Sequence, residues 1–319
     1  MAGTEPVLPV GSTLDGYRIE GVLGTGSYGT VYLATELNPR LARTVALKVL
    51  RPTLGGDDAF RERFFRESRL VARLEAHPAI VPVYDAGEAQ GLLWIASRFV
   101  DGTDLRVALE THGRFGPALA ASIIEEVAGG LDVAHAEGIV HRDVKPANLL
   151  LTRDLKRAFL TDFGMSKRMS RALEADVDNS LTQLGQFVGT VKYAAPEQFG
   201  GGEITGRSDQ YSLACVAYET LTGQAPFTGD LRAMMYAHAA KTLPDLRTVA
   251  PELPPAASHV IQRAASKEPE ARYPTCTAFA TDLALALRGS GAPTHLDPPG
   301  RPGGVAWSTP PMPPGSPGP

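Results

Sequence analysis

The stretch His141-Arg142-Asp143-Val144-Lys145-Pro146-Ala147-Asn148-Leu149-Leu150 decides how this chain is read. An acid, an amine and a carboxamide fall within six residues and run straight into an apolar, strand-like pair. Asp162-Phe163-Gly164 follows Asp143 by 19 residues (162 − 143), behind the apolar Ala158-Phe159-Leu160. Taken alone, the second tripeptide is an ordinary turn. In this order and spacing the two aspartates read as a working pair. The first can take up a proton, the lysine can neutralise negative charge, and the carboxamide can hold a cation.

Upstream, Leu23-Gly24-Thr25-Gly26-Ser27-Tyr28-Gly29-Thr30-Val31 fits G-x-G-x-x-G-x-V. Glycines there let backbone N–H groups approach an anion with no Cβ in the way. The run leads into β-branched and aromatic residues, whereas a dinucleotide fingerprint opens a helix. Tyr17–Leu23 and Thr30–Thr35 therefore predict a hairpin, and Arg43–Leu50 a third strand. Within that strand Lys48 sits among Ala46, Leu47, Val49 and Leu50, and a half-buried ammonium needs a partner. Asp57–Ala76 has helical spacing, with Phe60, Phe64, Val71 and Leu74 on one side and arginines on the others. Glu67 is the best-placed partner for Lys48, with Glu62 and Glu75 as alternatives. Ile80–Ala86 and Leu92–Phe99 predict two more strands. Beyond Asp101 the pattern turns mostly helical: Ala118–Ala136, Asp209–Thr222, Leu231–Ala240, Ala256–Ser266 and Thr275–Leu287. A β-rich lobe followed by a larger helical lobe is an α+β architecture, with a ligand expected in the cleft between them.

The chain has 319 residues, 43% of them hydrophobic and 21% charged, with a formal net charge of −4. That composition excludes wholesale disorder and a disulfide mini-scaffold, and the charge argues against nucleic acid as a partner. Of the two cysteines, Cys215 lies in an apolar run and reads as a buried thiol. No membrane span is expected in these residues, and the first residues do not read as a secretory signal, so the expected location is cytoplasmic. An anchor beyond Pro319 stays open. Residues 1–13 read as a lead-in, and 289–319, with 10 Pro and 7 Gly, as a disordered tail or linker.

Together these motifs resemble those of the eukaryotic-like (Hanks-type) Ser/Thr protein kinases of bacteria, the actinobacterial kind in particular, over about residues 14–288. The resemblance implies a bilobal kinase fold: N-lobe to about residue 98, hinge at 98–101, C-lobe to 288. It implies ATP with Mg²⁺ (or Mn²⁺) as cofactors and protein Ser/Thr hydroxyls as acceptors. Asp143 is then the base, Lys145 steadies the γ-phosphate, and Asn148 and Asp162 hold metal. Lys48, held by Glu67, meets the α/β-phosphates under the Gly24–Gly29 loop. Leu23, Val31, Ala46 and Leu150 sandwich adenine against the Arg98, Phe99 and Val100 backbone, and Ser97 is the gatekeeper. Val71, Val83, His141 and Phe163 form a stack coupling the lobes. Gly189–Glu197 matches the substrate-docking loop, Asp209 the brace of the catalytic loop, and Arg272 the partner of Glu197. For control, Arg142 points to an autophosphorylated Thr182, with Ser180 second. A homodimer through the N-lobe is an expected partner arrangement. The competing readings are a pseudokinase or ATP-binding scaffold, against which every catalytic residue is present, and a small-molecule kinase, which lacks the docking loop.

Overall fold

The computed structural model describes residues 8–26, 29–38, 42–51, 58–163 and 191–288. Alternation of small or β-branched residues builds a six-stranded antiparallel sheet from β1 (Thr13–Leu14), β2 (Tyr17–Gly26), β3 (Gly29–Glu36), β4 (Thr44–Leu50), β5 (Val83–Ala89) and β6 (Leu92–Arg98), in the order β1-β2-β3-β4-β6-β5. In β4 the period of two puts Val45, Leu47 and Val49 into a core with Ile19, Tyr32 and Trp94. Ala46 and Lys48 fall on the opposite face, Lys48 in register between Val31 and Ile95.

Helix α1 (Asp58–Ala72), ended by a 3₁₀ turn at Arg73–Ala76, packs across that second face through Phe60 and Phe64, which meet Leu50, Leu93 and Ile95. The two rings are 3% and 0% exposed, and burying each stabilises the contact by about 1.5–3 kcal/mol. Two turns and more beyond Phe64, Val71 and Leu74 leave the sheet's core and join the core of the second lobe.

The second lobe contains α2 (Leu105–His112), α3 (Pro117–Ala136), α4 (Gly206–Thr222), α5 (Leu231–Ala240), α6 (Pro255–Ala264) and α7 (Cys276–Arg288). At the cleft it carries a small sheet ordered β7 (Gly102–Asp104), β8 (Leu149–Thr152), β9 (Ala158–Leu160). Helix α4 is nearly all buried, its buried polar side chains such as Gln210, Ser212 and Thr220 hydrogen-bonded to backbone carbonyls, and Thr205 and Ser208 close its first turn as a reciprocal capping box. Both cysteines are buried and free, and burial pushes the Cys215 thiol up to about 12.

The expected α+β architecture stands, with local corrections. The strand expected from Ile80 begins at Val83, because Pro82 has no N–H to donate and the residues before it are committed elsewhere. Val81 N donates to Leu160 O at 3.0 Å and Leu160 N to Ala79 O at 2.8 Å, stitching the first lobe onto β9. Residues 8–12, read as loose lead-in, are tied down, with Leu8 N donating to the Tyr32 hydroxyl at 3.0 Å and Gly11 N to Ile19 O at 2.8 Å. Helix α2 had no counterpart in the sequence reading. Its signal was Asp104, which caps it by accepting from Val107 N at 2.9 Å. The Pro/Gly-rich stretch from 289 onward lies outside the described residues.

Candidate active site

The loop from His141 to Asn148 joins the end of α3 to β8, and its shape is imposed by a single buried carboxylate beneath it. Asp209, on the first turn of α4 and 1% exposed, accepts from His141 N and Arg142 N at 2.7 Å each. His135 on α3 adds a 2.8 Å contact to the same carboxylate. Arg142 stands at φ +69°, a left-handed backbone rare for residues with a Cβ. The His141 ring donates from Nε2 to Thr161 O (2.9 Å) and accepts from Asp143 N at Nδ1 (3.2 Å), a pair of partners that sets its tautomer. Its ring centroid lies 4.8 Å from that of Phe163.

Asp143 is only 7% exposed and is held on one side. Lys145 Nζ lies 2.7 Å from its Oδ2, and Asn148 Nδ2 donates to the same oxygen at 3.2 Å and to the Asp143 carbonyl at 2.8 Å. Oδ1 is the oxygen left to receive a hydroxyl proton. With its amide hydrogens directed at Asp143, Asn148 keeps its carboxamide oxygen for another partner. Asp162, at φ +62°, pairs with Lys48: Nζ to Oδ1 is 2.8 Å. Burial opposes ionisation of Asp162, but the charge and hydrogen bond of Lys48, with weaker help from His141 and Lys145, hold its carboxyl below the usual range.

This corrects one assignment. Among the described residues Lys48 has an ion pair with Asp162 and none within 4.0 Å with Glu67. Glu67 does lie on the buried face of α1 with Phe64 and Val71. Phe60 and Phe64 seat α1 on the sheet, and in this seating the acid that Lys48 meets is Asp162. Of the expected coupling stack, His141 and Phe163 meet, and Val71 and Phe163 belong to one extended core, with Val83 packed against that core.

The glycines divide by role. A Cβ on Gly24 would meet nothing within 4 Å, and on Gly26 only Gly29 O at 3.9 Å. A Cβ on Gly29 (φ +152°) would lie 1.9 Å from Val49 O. The first two leave room above the strand ends, whereas the third is demanded by the approach of β3 to β4. Leu23 is exposed on β2, while Val31, Ala46 and Leu150 are half-buried around the cleft. The Ser97 hydroxyl donates to Ala46 O at 3.3 Å, Arg98 N donates to Pro82 O at 3.0 Å, and the Arg98 guanidinium lies 4.8 Å from the centre of the Phe159 ring. Thr25, Thr30, Phe99 and Val100 fall in the same two strand ends and hinge. Ser27 and Tyr28 lie outside the described residues, as do Ser180, Thr182 and Thr190.

Below the cleft, Glu197 and Arg272 pair through two bonds, 2.7 and 2.9 Å. Ser208 Oγ donates to Glu197 at 2.7 Å, and despite burial these bonds hold the Glu197 carboxyl below its ordinary value. Tyr193 donates its hydroxyl to Glu219 at 2.6 Å. Gln198, which sequence reasoning missed, donates to Arg142 O (3.0 Å) and accepts from Ala195 N (2.9 Å).

A family model described as the protein kinase domain matches residues 17–283, most of the chain. The chain belongs to the protein kinase family. It is 42% identical over 278 residues to the Serine/threonine-protein kinase PknH of Mycobacterium tuberculosis, covering 87% of this chain and 42% of that protein. It is 42% identical over 266 residues to PknE of the same species, covering 83% of this chain and 45% of the relative. The chain therefore spans less than half the length of these curated relatives. A crystal structure of Rad53 1-466 in complex with AMP-PNP superposes with a TM-score of 0.68 at 24% identity, over 85% of this chain and 65% of that one, which bears out the bilobal fold. The likeness to bacterial Hanks-type kinases read from the motifs holds over the kinase domain. His135, the other residue missed, left only a faint signal: a histidine six residues before His141 on the apolar end of α3.

Proposed function

We propose that residues 14–288 form an ATP-dependent kinase that transfers the γ-phosphate to Ser or Thr hydroxyls of proteins. The observation that carries this reading is the one-sided hold on Asp143, with Lys145 and Asn148 both on Oδ2. An incoming hydroxyl gives its proton to Oδ1 while its oxygen attacks the γ-phosphorus, and the bond from that phosphorus to the bridging oxygen breaks, its electron pair leaving with ADP. Lys145, 2.7 Å from the same carboxylate, is placed to neutralise charge on the transferred group. The Asp162 carboxylate and the Asn148 carboxamide oxygen are hard oxygen donors suited to Mg²⁺ (or Mn²⁺). Such an ion, when bound, neutralises phosphate oxygens. Gly24 and Gly26 leave backbone N–H groups free of side-chain obstruction for phosphate, and the Ser97–Val100 hinge offers its edge to adenine.

Among the described residues no helix is long and apolar enough to cross a membrane. The acceptors proposed are protein hydroxyls, with control through Thr182 and Arg142 and pairing of N-lobes as further parts of the same reading. Transfer of labelled γ-phosphate from ATP–Mg²⁺ to a generic basic protein tests it. Asp143→Asn should lose at least a hundredfold in rate while staying folded, since it removes the proton acceptor but keeps the shape. Retention of more than about a tenth of the wild-type rate would refute the assignment.

A further inference from the structure

The left-handed backbone at Arg142 is held from both sides. Its N–H donates to Asp209 Oδ1 at 2.7 Å, and its carbonyl accepts from Gln198 Nε2 at 3.0 Å. That carbonyl belongs to the peptide leading into Asp143, so rotating it swings the catalytic carboxylate. A residue with a Cβ keeps φ +69° only where its surroundings over-determine it. The other end of the same carboxamide, Oε1, accepts from Ala195 N at 2.9 Å, within the Gly189–Glu197 stretch that matches the docking loop.

We infer that Gln198 is a positioning residue for phosphoryl transfer: it fixes the Arg142–Asp143 peptide and keys it to the seating of the acceptor segment. The inference rests on the kinase reading above. Three observations separate it from a packing role. Gln198 is only half-buried and contributes little to the core. The helical turn Glu197–Gly200 that bears it is already anchored by the Glu197–Arg272 pair. Its two bonds need a donor and an acceptor on one planar group of this length, which glutamine supplies. A glutamate keeps the acceptor but presents carboxylate oxygen to the Arg142 carbonyl. A methionine keeps the shape and loses both bonds.

The test uses the whole 319-residue chain with Gln198→Met and Gln198→Glu, measuring kcat and KM for ATP and for a basic protein acceptor, together with thermal unfolding. Loss of a neutral hydrogen bond weighs on the order of tenfold when it is felt in the transition state. Gln198→Met should lower kcat about tenfold and raise the acceptor KM, and Gln198→Glu should lower kcat further. KM for ATP should stay within twofold and the unfolding midpoint within about 2 °C of wild type. Either variant with kcat within twofold of wild type would overturn the inference. So would a kcat loss that tracks a falling midpoint or a rising KM for ATP, since that is what a merely structural side chain would give. Should Gln198→Met fail to fold, its structural importance counts against the inference unless Gln198→Glu folds and shows the kcat loss alone. Wild-type chain unable to transfer phosphate would remove the kinase reading and this inference with it. A silent Gln198 variant beside active wild type removes this inference alone.

Discussion

Arg272 is the perturbation whose size the structure defines best. Its side chain is fully buried, and its guanidinium makes five bonds: two to Glu197 at 2.7 and 2.9 Å, and one each to Arg207 O (2.8 Å), Ser266 O (2.8 Å) and Lys267 O (3.1 Å). Arg272→Ala leaves a buried carboxylate and three carbonyls without this partner. Removing one member of a buried ion pair costs about 3–5 kcal/mol, and buried carbonyls that go unsatisfied add to it. Water entering the vacated volume offsets part of that addition, so the expected loss is about 4–5 kcal/mol. For a domain of this size that lowers the unfolding midpoint by roughly 10–15 °C. Arg272→Lys should recover a minor part, because an ammonium has three donors and no fork to match two carboxylate oxygens. The double variant Arg272→Met with Glu197→Leu should be more stable than Arg272→Met alone, since it leaves no buried charge unpaired. Urea and thermal unfolding followed by circular dichroism measure all of these. An Arg272→Ala chain within 1 kcal/mol of wild type, or a double variant less stable than the single, would refute the reasoning.

Gly29→Ala should destabilise the first lobe by about 1–3 kcal/mol or more, because its Cβ would lie 1.9 Å from Val49 O at φ +152°. Gly24→Ala and Gly26→Ala should melt like wild type and weaken ATP binding, as calorimetry would show. His238 is fully buried, and burial, helped by the charge of Lys267, pushes its pKa down from 6.5 to about 4. Between those values only the unfolded chain takes up that proton, so stability complete above pH 6.5 declines toward pH 4, and by pH 4.5 wild type should have lost about 2–3 kcal/mol more than His238→Asn, measured by urea unfolding.

The elements that were legible in the sequence are those whose cause is local. Leu231–Ala240 was read at its observed ends, because Asp230 caps it through Ala233 N and an apolar stripe runs its length. The face carrying Ala46 and Lys48 followed from a period of two. The Glu197–Arg272 and Asp209 contacts span 75 and 67–68 residues and were legible only through resemblance, since no local rule joins such distant positions. Where neither periodicity nor motif applied, the reading failed. Ile80 and Val81 have strand composition, yet Ile80 N donates to His77 O and Val81 N to Leu160 O on β9, and Pro82 breaks the ladder. Gln198 looks like any polar residue on a surface turn, and its partner carbonyl lies 56 residues away.

The glycine loop and the lysine show what the missing information was. Gly24, Gly26 and Gly29 are equivalent in a motif, but only Gly29 has a backbone oxygen where its Cβ would stand. Its requirement comes from the spacing of β3 and β4, and theirs from the open space above the strand ends. Lys48 likewise had three candidate acids, Glu62 and Glu67 on α1 and Glu75 in the turn after it, all chosen by nearness in sequence pattern. The carboxylate it meets belongs to Asp162, 114 positions away (162 − 48), brought there by the left-handed turn at that residue and by Phe163 seated against His141. A motif names the groups that chemistry needs. Which of two suitable groups makes the contact is settled by how a helix is seated on a sheet, through apolar contacts such as Phe60 and Phe64 that carry no chemistry of their own.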